Sequence, residues 1–195
     1  MKNFAVNNIE KKANTMLKEH IDVLSEMGAN LEWNGGKYHM DMGHNQVFGS
    51  VGYDVKNKFL VKTYGLTFDL IFDDVHFNES FNASCSFAGM TKIEGAYFKI
   101  RKYNDESVSN FLNESKLIEK IIKLGESLDI ESVKVSYSVD TKQLSVKIKP
   151  YAGVYLWLKF PPINRQIPLR GPELEALLKF TKFIKSDFSK KLYKN

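Results

Sequence analysis

Residues 130–160 read IESVKVSYSVDTKQLSVKIKPYAGVYLWLKF, and their alternation predicts three short strands joined by two tight turns. Side chains of a strand point alternately to its two faces, so granting the strands sorts the residues. Val133, Val135, Tyr137 and Val139 share one side with Leu144, Val146, Ile148, Val154, Leu156, Leu158 and Phe160. The other side receives Lys134, Ser136, Ser145, Lys147, Lys149, Tyr151, Tyr155, Trp157 and Lys159. The first set is a core. The second is basic and aromatic. Either a helix or second sheet covers it, leaving Tyr and Trp half-buried with the lysines reaching past, or it is a surface whose flat rings and lysines stack on and ion-pair with a partner.

The alternation continues toward the N-terminus. Tyr97, Lys99, Arg101 and Tyr103 point outward from a strand whose inward residues are Ala96, Phe98 and Ile100. Before it, Phe81, Ala83, Cys85 and Phe87 alternate with Asn82, Ser84 and Ser86, which makes Cys85 a small core residue. Leu66, Phe68, Leu70 and Phe72 mark another inward face, and the change of phase at Asp73-Asp74 predicts a bulge there. Val47, Val51, Tyr53 and Val55 form a further strand. Asn34-Gly35-Gly36 supplies the positive φ of a hairpin turn, with Leu31, Trp33, Tyr38, Met40 and Met42 inward and His39 and Asp41 outward. An amphipathic helix over residues 7–27 precedes the sheet, carrying His20 on its apolar stripe as a core histidine bonded to a neighbour.

Residues 104–109 are polar and make the best linker. A second helix then places Phe111, Leu117, Ile118, Ile121, Ile122 and Leu128 on one side. Pro161-Pro162 ends the quoted stretch, INRQIPLR is extended, and Gly171-Pro172 opens a last helix with Leu174, Leu177, Leu178, Ile184, Phe188 and Leu192 buried. The fold class is α+β: a curved, mostly antiparallel sheet with three amphipathic helices, N-terminal, central and C-terminal. It is read as one domain over residues 1–195. A subdivision into 1–104 and 105–195 is suggested because each half opens with a helix and a hairpin, though their side chains do not match as a repeat would.

Composition bounds the function. The 195 residues carry a net charge of +5, and residues 151–195 alone hold nine basic side chains against three acidic ones. A basic end attracts anionic partners without naming them. The N-terminus lacks a signal-peptide pattern, no apolar run can span a bilayer, and one cysteine forms no internal disulfide, so a cytoplasmic location is expected. The sequons at Asn78, Asn82 and Asn113 are then incidental.

Candidate chemistry is sparse. His39, Asp41 and His44 carry metal-ligating atoms, and Asp69, Asp73 and Asp74 are carboxylates near one another, but neither spacing matches a metal-site pattern, so neither metal nor cofactor is assigned. There is no nucleophile elbow and no phosphate-binding loop, which weighs against an enzyme. Phe183, outward on the last helix among lysines, suits an oligomer contact better than a membrane. The leading expectation is a non-catalytic binding protein that engages a protein partner, or less readily nucleic acid, through Lys134, Lys147, Lys149, Tyr155, Trp157 and Lys159. The alternative is a carrier of an apolar ligand with an anionic head, held between the curved sheet and the last helix with a lysine or Arg165 at the mouth. An enzyme ranks third.

Overall fold

In the computed structural model, residues 2–44, 47–89, 93–101, 106–113, 116–184 and 186 are described. Helix α1 (Lys2–Glu26) ends at Gly28, whose φ of 87° closes it, and β1 (Leu31–Asn34) follows. The turn into β2 (Lys37–His44) uses Gly35 and Gly36 at φ 59° and 89°, as its Asn-Gly-Gly sequence dictates. Strands β3 (Val47–Asn57), β4 (Val61–Phe72), β5 (Phe81–Ala88) and β6 (Gly95–Arg101) come next. The central helical stretch is two pieces, α2 (Glu106–Asn113) and α3 (Lys116–Gly125), so four helices replace the three expected. Then come β7 (Ile130–Ser138), β8 (Gln143–Pro150), β9 (Val154–Leu158), β10 (Ile163–Ile167) and α4 (Gly171–Phe183). In α4 the Glu173 carboxylate accepts the Arg170 backbone N–H at 2.6 Å, the start signal expected of Gly-Pro-Glu.

All ten strands belong to one open antiparallel sheet, ordered β1-β2-β3-β4-β8-β7-β5-β6, with β9 on β4 and β10 on β9. The late strands β7 and β8 lie between the early strands β4 and β5. The four helices cover one face. Leu17, Ile21 and Leu24 of α1, Leu112, Leu117 and Ile121 of α2 and α3, and Leu174, Leu177 and Phe180 of α4 share a core with Leu66, Phe68, Leu70, Phe72, Val133, Val135, Leu144, Val146 and Ile148. Burial of that apolar surface is what holds sheet and helices together. Among the described residues no helix is long and apolar enough to cross a membrane.

His20 is 3% exposed in this core, and its Nε2 accepts the Leu169 N–H at 3.0 Å. Burial holds its pKa below the ordinary 6.5. As pH falls, the unfolded chain therefore takes up a proton that the folded one refuses. Stability should be intact above pH 6.5 and fall below it, by at most about 1.4 kcal/mol per pH unit. His20→Gln keeps an acceptor for Leu169 and should flatten urea-melt stability between about pH 6.5 and pH 5, the window above carboxylate titration. An unchanged slope would assign that loss to other groups.

Three local expectations are corrected. The change of phase at Asp73-Asp74 is no bulge: β4 stops at Phe72, and Asp74 turns the chain at φ 56°. Val139 is 41% exposed because it begins the β7–β8 turn. The junction between β8 and β9 is not a tight turn. β8 pairs Ile148 with Phe68, and β9 pairs Val154 with Gly65, both antiparallel to β4 and along the same edge. The chain thus uses six residues where β4 uses three. Side chains in a strand alternate, so an excess of three exchanges the faces of everything that follows. Gly153 closes the excursion at φ 75°, its carbonyl accepting the Leu66 N–H at 3.0 Å and its own N–H donating to Ile167 at 2.6 Å.

Candidate binding face

The exchange of faces divides the six residues expected to bind a partner. Lys134 is exposed and Lys147 half-buried on the face away from the helices. Lys149 points to the same face but is buried, with its ammonium 3.1 Å from Glu131 and 3.7 Å from Asp54. Tyr155 and Trp157 are on the opposite face. Tyr155 is 0% exposed, enclosed with Ala13 and Met16 of α1 and with Tyr64, while Trp157 is half-buried against the same cluster. Lys159 ties two turns together, its Nζ donating to Asn57 Oδ1 at 3.2 Å and to the Lys58 carbonyl at 3.4 Å. A single aromatic and basic face built from all six is therefore corrected.

The helix-free face has two regions. The first is a charged rung that crosses the sheet. Pairing places Ser50 opposite Asp69, Asp69 opposite Lys147, Lys147 opposite Lys134, Lys134 opposite Ser84, and Ser84 opposite Lys99. Asp69 is buried between Lys37 at 2.7 Å and Lys147 at 3.4 Å. Lys134 has no carboxylate partner among the described residues. Glycines make room for the lysine stems: a Cβ on Gly52 would lie 2.8 Å from Lys37 Cγ, and one on Gly65 2.8 Å from Lys149 Cε. The Lys37 stem paves the sheet with its ammonium at the surface, whereas the Lys149 ammonium stays buried beside Glu131 and Asp54. Tyr97, 45% exposed, belongs here too, with Lys99 Nζ 5.2 Å from its ring centre.

The second region is apolar and was assigned to the core by alternation. Val154, Leu156 and Leu158 face away from the helices, in register with Gly65, Thr63 and Val61 of β4 and with Ile167, Arg165 and Ile163 of β10. Phe59 and Phe160 extend it at the adjoining turns, 90% and 80% exposed, where Lys159 donates its N–H to the Leu60 carbonyl at 2.8 Å. A phenylalanine beside turn residues such as Asn57-Lys58 or Pro161-Pro162 has no core to fill. That was the signal available in the sequence.

Other candidates resolve separately. Among the described residues no three His, Cys, Asp or Glu side chains gather as a metal site would require; the Asp41 and His44 side chains lie outside the described residues, as do Tyr103 and most of residues 185–195. Cys85 is partly buried, and desolvation pushes its thiol up to about 12. Phe183 packs against the core, with Lys120 Nζ 5.6 Å from its ring centre. The α4–sheet interface is filled by Leu174, Leu177, Leu178 and Phe180. Clefts of about 580 Å³ and 290 Å³ lie elsewhere, between α1 and the β1–β2 hairpin and between α3 and α4, and Arg165 lines neither.

No curated protein and no solved structure matches this chain. One family profile matches residues 28–186, a span holding all ten strands and α2 to α4. The chain belongs to that family, DUF3156, proteins of unknown function.

Proposed function

We propose that this chain is a binding protein that engages a protein partner through the helix-free face of its sheet. The apolar region around Leu156, Leu158 and Phe160 supplies the buried centre of the contact, and the rung of lysines meets an acidic rim on the partner. One observation carries the reading: Lys134 and Lys147 stand directly opposite each other on adjacent strands. Like charges in that position oppose pairing, and an acidic residue at 134 would serve the fold better. A row that works against its own sheet has a use outside it. The partner is a protein rather than nucleic acid because of what the same sheet face carries farther along β4 from the lysines. Half-buried Leu156 and Leu158 lie there with exposed Ile163, Ile167 and Phe160, apolar surface that protein interfaces bury.

The fold and the function thus ask for opposite residues at 134. Lys134→Glu should leave the melting temperature equal or raised by about 1–2 °C, yet abolish partner capture. A photo-crosslinking residue at Phe160 or Lys147 should trap one common protein that the same residue at Lys182 on α4 does not, and Lys134→Glu should erase that band. Capture from position 182 alone would move the contact to the helix layer. Capture of nucleic acid that weakens steeply as salt rises would replace the protein partner.

A further inference from the structure

An open sheet has edges, and this one treats its edges differently. β1 is only four residues long. On β6 the Asn113 side chain acts as a short neighbouring strand: its Oδ1 accepts the Phe98 N–H at 2.6 Å and its Nδ2 donates to the Phe98 carbonyl at 3.3 Å. Among the described residues β10 has no such cover. It pairs with β9 alone, and all five of its residues are exposed. Such an edge is a template for another strand. No proline interrupts Ile163-Asn164-Arg165-Gln166-Ile167, and Pro168 follows only where the strand ends. Its one charge, Arg165, disfavours like-charged or apolar neighbours but not an acidic one.

We propose that the free edge of β10 receives an extended segment of the partner, whose side chains alternate apolar, acidic, apolar at every second position. This rests on the reading of the helix-free face as protein-binding and says which part of the partner lies beside it. The register fixes the pattern. Ile163, Arg165 and Ile167 pair with Leu158, Leu156 and Val154 and so point to the helix-free face, whereas Asn164 and Gln166 lie on the side of Trp157 and Tyr155. A strand added at this edge sets one side chain opposite each of the three. Ile163 and Ile167, 47% and 48% exposed, call for apolar neighbours that extend the patch of Leu156, Leu158 and Phe160. Arg165 has no ion-pair partner among the described residues, and a carboxylate opposite it would supply one. Charge also argues against a second copy of this chain: antiparallel self-pairing centred on Arg165 would set one guanidinium against another.

The test uses the intact chain and a capped peptide, Thr-Val-Thr-Glu-Thr-Val-Thr, beside a twin with lysine in place of glutamate. By amide NMR the glutamate peptide should shift the amides of residues 163–167, protect the alternate ones that face the free edge, and bind about tenfold more tightly than its twin. Arg165→Glu, at an exposed site, should leave melting unchanged and reverse that order. A strand pairs along one of its own edges, so of two peptides N-methylated on alternate residues only one should lose binding. Equal binding of the two twins, or shifts at Leu156 and Leu158 with none at 163–167, would overturn strand addition while leaving the binding face in place. Absence of all peptide binding would overturn the strand inference too, and a Lys134→Glu chain that still captured its partner would remove the face with it. Protection of 163–167 that grows with protein concentration alone would assign the edge to a second copy and overturn the proposal.

Discussion

Tyr155→Ala should cost about 3–5 kcal/mol, enough to lower the melting temperature of a chain this size by about 10 °C or more. Simple alternation from Lys147 would have put this ring in water, where its loss is nearly free. The three residues gained between β8 and β9 instead turn it beneath α1, at 0% exposure, with its ring centre 6.1 Å from that of Tyr64. Removing it empties a pocket walled by Ala13 and Met16, which are held by their own helix and cannot collapse inward at no cost. Tyr155→Phe separates ring from hydroxyl. That hydroxyl is buried with no hydrogen-bond partner among the described residues, so Phe should match or slightly exceed the parent. A Tyr155→Ala protein melting within about 2 °C of the parent would return residue 155 to the surface.

What the sequence made legible was local. The Asn-Gly-Gly turn, the Gly-Pro-Glu start of α4 and the inward series Leu66, Phe68, Leu70, Phe72 are each determined by residues within one turn or one strand. The α+β class and the face carrying the core of β7 and β8 follow from the same short-range rules. Lys134 and Lys147 were placed correctly because they precede Lys149, and Tyr97 and Lys99 because their strand is unbroken. From Val154 to Leu158 every facing is reversed, while the stripe of Leu174, Leu177 and Leu178 on α4 and Ile184 at its end is buried as read. Pro150 and Gly153 marked an interruption, but nothing nearby says whether the chain turns back or bulges and resumes. That depends on β4, twelve residues long, whose edge continues past β8 and accepts β9 beyond it. Register against a distant strand is a tertiary property. The apolar region of the helix-free face was hidden for that reason, since Val154, Leu156 and Leu158 were read as core.

Gly153 is where the exchange of faces is most exposed to a single substitution. Gly153→Ala places a β-carbon at φ 75°, in the left-handed region, and 2.8 Å from Leu66 Cβ, a residue with no exposure of its own. Leu169 Cδ1, 3.4 Å away, limits relief on the other side. The backbone strain is worth about 1 kcal/mol and the overpacking about 1–3 more, so a loss of about 3 kcal/mol is expected. Gly28→Ala is the control that separates the two: its φ is also positive, at 87°, but a β-carbon there meets nothing within 4 Å. It should lose only the strain, about 1 kcal/mol. The excess at Gly153 should also appear locally. Gly153 holds β9 and β10 to the sheet through Leu66 and Ile167, so hydrogen exchange should quicken at 154–167 more than at β7, and peptide binding to the β10 edge should weaken with it. Equal losses for the two variants would mean that Leu66 yields, and that close packing at Gly153 does not fix where β9 begins.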